Sequence, residues 1–223
     1  MNTAAHAPHT APAHLAGLSL VNLAARQRML SQRLILQTLL AAQGREGLLA
    51  AAVHSLTVFR ESQQHLLATA AHLEPAAARQ VQATYHGAGG VAAVVQDFID
   101  RLQAVHDLIA AQSPRVDGAL GALVALTDPV LQALNTATSA FDQVTRAQSE
   151  AIMKELVGIV NDIQTVSREA KVVSFNAQVV AARAGQHGRE FAVVANVLTD
   201  ITGEIDSLSR KAAELAERSK HAA

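Results

Sequence analysis

The chain has 223 residues, 50% hydrophobic and 17% charged, with a formal net charge of -1. That is enough apolar material for one large domain or two small ones with a real core, and without an excess of positive charge there is no general pull toward nucleic acid or an anionic membrane. Cysteine is absent, which excludes disulfides, thiolate metal sites and a thiol nucleophile and fits a reducing, cytoplasmic setting.

Alanine and leucine dominate, there is one tyrosine and no tryptophan, prolines number five, and alternation at period two is missing, so the expectation is an all-α protein. Residues 1–13, rich in Ala, Pro, His and Thr, read as a disordered tail and lack the positive start of a secretory signal. Breaks follow at "QGREG" (43–47), "LEPA" (73–76), "GAGG" (87–90), "SPRVDG" (113–118) and "TDP" (127–129). They predict helices over 15–43, 46–72, 75–112, 129–184 and 188–219, the third open to interruption at its glycines. Asp128 is placed to cap the fourth, with Pro129 at its first position. The best membrane candidate, "GALGALVALTDPVLQAL", is interrupted by Asp128 and Pro129, so no transmembrane segment is expected.

The fourth helix is too long for a compact bundle of the others at about 1.5 Å per residue. The reading is therefore an N-terminal antiparallel four-helix bundle over 14–150, whose last helix continues into an antiparallel coiled-coil hairpin over 151–223 with its tip at 185–188. Ile152, Leu156, Ile159, Ile163, Val166, Ala170, Val173, Ala177, Val180 and Ala184 stand four and three apart, which predicts the seam of one arm. Phe191, Val194, Leu198, Ile201, Ile205, Leu208, Ala212 and Leu215 answer from the other. Gly185 is placed to end the first arm in the left-handed conformation, and Gly188 gives the turn a second permissive residue. Valines flanking this seam widen it into the kind of face that four-helix packing uses, which points to a homodimer.

The stretch "NAQVVAARAGQHGREFAVVA", 176–195, resembles the signalling tip of bacterial methyl-accepting chemotaxis proteins. The resemblance rests on Asn176, Ala177, Ala181, Ala182, Arg183, Ala184, Gly185, Gly188, Arg189, Phe191, Ala192, Val193, Val194 and Ala195 at the family's places. It implies that the tip docks the chemotaxis histidine kinase and its coupling protein, with Asn176, Arg183, Gly185, Gly188, Arg189, Phe191, Val193 and Val194 as the docking residues. The chain departs from the family pattern at Val180, Gln186, Glu190 and "VLTDI", and it holds no paired Glu/Gln sites of the kind that receptor methylation uses. "VNLAARQRMLSQRLILQTLLA", 21–41, is similar to the opening helix of PilJ-type sensory domains and, more distantly, to nitrate-sensing histidine kinases.

The first acidic residue is Glu46, which leaves Arg26, Arg28, Arg33 and Arg45 as a segment of one sign. Arg26 and Arg33 share a helix face, and Arg28 and Gln32 share another. Two readings stand. The arginines are solvated or paired with acids on neighbouring helices, the commoner situation; or Arg28 meets its own copy across a dimer axis with a planar anion such as nitrate between the guanidiniums. By the resemblance, Arg28 matches the nitrate-contacting arginine of the sensor kinases. The ten histidines are scattered without a metal-site pattern, "HGAGGV" lacks the Lys and Ser/Thr of a phosphate loop, and no nucleophile, base and orienting residue share a recognisable spacing. No metal, cofactor or enzymatic activity is expected. Set against a signal transducer are a helical scaffold or decoy that keeps the tip's shape, and an amphipathic protein that coats a lipid or polymer surface.

Overall fold

The computed structural model describes residues 17–222, and side chains as far as Arg218; the tail expected at 1–13 lies outside them. Every regular element among the described residues is helical. They divide into two compact units between Thr145 and Arg146.

The first unit begins with α1 (Leu20–Ala42), whose N-terminus is capped by the Ser19 hydroxyl accepting from the Asn22 N–H. α2 (Leu48–Ala70) follows. The helix expected over 75–112 is two helices, α3 (Pro75–His86) and α4 (Val91–Ala110), separated at the glycine-rich break. A further short helix, α5 (Val116–Val124), lies where a plain connection was expected. Two glycines in nine residues weakened its signal in the sequence. The long helix α6 (Thr127–Arg183) starts two residues before the expected position, its first carbonyl partner being Leu126. Asp128 is thus not the cap but lies inside the first turn, where its charge still meets the positive end of the helix dipole.

The core of this unit is apolar and aromatic. Leu23, Leu34, Leu56, Phe59, Leu66, Phe98, Leu102 and Leu123 are buried together with Val130, Leu134 and Phe141 from the start of α6. Phe59 meets Phe98 edge-to-face at 5.8 Å between ring centroids, and Tyr85 meets Phe141 at 6.2 Å, geometries in which ring edge and ring face attract. Each fully buried Leu or Phe contributes roughly 1.5–3 kcal/mol.

The second unit is an antiparallel hairpin. α6 ends at Arg183, a 3-10 turn spans Gly185–Gly188, and α7 (Arg189–Ala222) returns. The side chains buried between the arms are not the expected seam. They are Val160, Ser167, Ser174 and Ala181 on α6, seven apart, and Ala195, Thr202, Ser209 and Ala216 on α7, also seven apart. Apart from Val160, these are Ala, Ser and Thr, which let the arms approach closely, and hydroxyls tie them to the opposite backbone: Ser167 donates to the Thr202 carbonyl at 3.0 Å and Ser174 to the Ala195 carbonyl at 2.6 Å. On one flank, the Gln178 amide donates to Asn196 and to Thr199, each at 3.0 Å.

Candidate functional site

The turn at 185–188 is built by two glycines with different duties. Gly185 has φ of +61°, the left-handed conformation that ends α6. Gly188 is buried, and its φ is ordinary; a Cβ there would run into the Ala181 backbone of the opposite arm. Close approach therefore replaces the expected second permissive φ. Arg183 lies in the last turn of α6, beside the negative end of that helix. Glu190, one of the departures from the family pattern, lies in the first turn of α7, where a carboxylate is favoured by the positive end.

The candidate docking residues fall on different faces. Asn176, Arg183 and Arg189 are exposed. Phe191 and Val194 are 55% and 63% exposed and belong, by spacing, to the apolar stripe first read as the seam. Val193 is also exposed, at 62%, but lies off that stripe.

The stripe itself is the largest feature of the hairpin. Ile152, Leu156, Ile159, Ile163, Val166, Val173 and Val180 on α6 are exposed, as are Phe191, Val194, Ile201, Leu208 and Leu215 on α7. The expected pairing of these two series within one hairpin is thus overturned: the arms meet through the neighbouring register of Ala, Ser, Thr and one Val, because side chains of one to three heavy atoms permit a closer helix contact. The two series still lie on one side of the hairpin, since Ile159, Ile163, Val166 and Ala170 line a shallow groove of about 310 Å³ together with Ile205 of the returning arm. Val180, standing where the family has Glu, carries the stripe to the last turn of α6.

In the first unit the four candidate anion-binding residues do not act as one set. Arg28 donates from Nη1 to the Asn135 side chain on α6 at 2.9 Å. Arg26 is half-buried and engaged, while Gln32 and Arg33 are exposed beside Met29 and Leu36.

Two polar clusters escaped the reading of the sequence. Gln27 is 1% exposed, donates to the Phe59 carbonyl at 3.0 Å and approaches Oε1 of Gln63 at 3.5 Å. Its signal was present: it stands four after Leu23 and three before Leu30, a core position of α1. His106 on α4 is buried against Thr38 of α1, with 2.9 Å between Nε2 and Oγ1, and its Nδ1 has no partner. Burial pushes its pKa below the usual value, Asp107 opposes that shift, and Arg60 adds to it. Among the described residues, no three His, Asp or Glu side chains gather where a metal could bind.

The chain matches no protein-family model, no curated protein and no solved structure. No helix among the described residues is long and apolar enough to cross a membrane.

Proposed function

We propose that the chain is a chemoreceptor-like signal transducer. The bundle receives a signal and shifts its helix packing, and the hairpin tip carries the change to a chemotaxis histidine kinase and its coupling protein. The observation that supports this reading best is local: the family-like residues 176–195 coincide with a helix end, a four-residue turn and a helix start. In this reading Asn176, Arg183, Arg189 and Val193 are the docking residues, and Gly185 and Gly188 hold the shape that presents them.

The same reading includes a homodimer whose two hairpins form a four-helix stalk. The twelve exposed side chains of the stripe, each between 42% and 64% accessible, present on the order of 1,000 Å² of mostly apolar surface, comparable with the roughly 800 Å² per partner of a stable interface. A second copy of the hairpin has the right length and the right pattern to cover it. Phe191 and Val194 then serve pairing rather than docking.

A second reading, a scaffold that keeps the tip's shape without kinase control, is favoured by Val180, which cannot accept the hydrogen bonds of the family's glutamate. Co-sedimentation of the purified protein with the coupling protein and kinase separates the two. Binding that is lost in Arg189→Ala while helicity and dimer are retained supports the transducer; no binding by a folded dimer supports the scaffold. A small planar anion at Arg28 would share that guanidinium with Asn135, and it predicts stabilisation by nitrate that Arg28→Ala abolishes.

A further inference from the structure

On each arm of the hairpin the exposed apolar stripe has two flanks. The inner flank of α6 carries Ser167 and Ser174, which touch α7. Its outer flank carries Glu155, Asp162 and Glu169, seven apart and all exposed. On α7 the inner flank carries Ala195 and Thr202, and the outer one Val197, Glu204 and Lys211, again seven apart and exposed. Asp162 lines the shallow groove of the stripe together with Ile163 and with Ile205, the chain neighbour of Glu204. Since Ser167 is bonded to Thr202, Asp162 and Glu204 stand within about one helical turn of the same height along the hairpin, on opposite flanks.

A second copy can close over the stripe about a two-fold axis in two ways. With the tips at opposite ends, each α6 lies across from the other α6, and the carboxylates of Glu155, Asp162 and Glu169 face three more of their own kind. Such like-charge contacts are costly. With the tips at the same end, α6 lies across from α7 of the other copy and heights are preserved. Glu155 then meets Lys211 and Glu169 meets Val197, which leaves Asp162 and Glu204 as the like pair. Charges flanking an apolar seam set the orientation of helical partners, and here they favour the second arrangement. We propose, resting on the homodimer of the proposed function, that the second copy docks with its tip at the same end, so that Asp162 of each copy faces Glu204 of the other. That contact is made twice and holds the dimer below the strength its apolar face would give.

Charge reversal in the full chain, read by analytical ultracentrifugation, tests the contact through its coupling. Asp162→Lys and Glu204→Lys each turn two like pairs into opposite ones, so each should lower the dimer dissociation constant by about 3- to 10-fold. The double variant sets lysine against lysine and should return to within about 2-fold of the unaltered protein. A double variant tighter than either single one, or no gain in the single variants, would overturn the pairing while the dimer stands. An unaltered chain that stays monomeric at all concentrations would remove the homodimer itself, and the pairing with it.

Discussion

The Ser174 hydroxyl lies 2.6 Å from the Ala195 carbonyl across the hairpin and 2.6 Å from the Thr199 hydroxyl. Ser174 is fully buried, so a small polar residue occupies a position where a two-helix coiled coil would carry Leu or Ile. Ser174→Ala is expected to cost about 1 kcal/mol, the net value of one such bond, because the Ala195 carbonyl keeps a donor in Thr199. Ser174→Leu forces the arms apart and costs about 1–3 kcal/mol. Thermal melts followed by circular dichroism give the order; a Leu variant as stable as wild type would contradict the close packing of the arms.

The two tip glycines separate in the same assay. Gly185→Ala meets open space and incurs only the left-handed φ, about 1–2 kcal/mol. Gly188→Ala drives a methyl group into the Ala181 backbone and is expected to reorganise the turn, with a larger loss of stability and, under the proposed function, loss of docking. Equal effects of the two substitutions would count against the turn described above.

Stability should also vary with pH at both ends of the range. The His106 pKa is lowered by burial, so below the unfolded value of about 6.5 the unfolded chain takes up a proton that the folded chain refuses. His106 thus supports the fold fully above that value, and its contribution fades as pH falls through the lowered folded one. His106→Gln should flatten this acid limb. Tyr85, the one tyrosine of the chain, is pushed up to about 12 by burial, against a smaller opposing effect of Gln63. Its contribution is complete below about 10 and lost as pH rises through about 12. Ultraviolet titration reads this residue alone, and ionisation at the ordinary value would show that the phenol is not buried.

The exposed stripe predicts association. Ile159→Glu and Leu208→Glu remove apolar contacts and place carboxylates within a paired face, and each should raise the dissociation constant by about 10-fold or more, a cost of at least 1.4 kcal/mol. Because Val160 is the only large apolar side chain buried among the described residues of the hairpin, its helicity should fall on dilution together with the dimer. Analytical ultracentrifugation and circular dichroism on the same dilution series check this; a fully helical monomer would remove the stalk from the proposal.

The sequence by itself determined the helical class, the positions of most helices and the turn at 185–188. These follow from local chemistry: Ala and Leu favour helix, and glycine runs and prolines interrupt it. It also showed one apolar stripe along each arm at spacings of four and three. Periodicity places residues on a face but does not say what the face meets, and hydrophobicity alone favoured the Ile and Val stripe. Only the tertiary structure decided that Ser167, Ser174, Ala181 and Ala195 lie between the arms, because the choice depends on how closely two backbones can approach. It likewise turned Arg28 toward Asn135 and joined Gln27 to Gln63, 36 residues away, through the packing of α1 against helices whose positions no local pattern encodes.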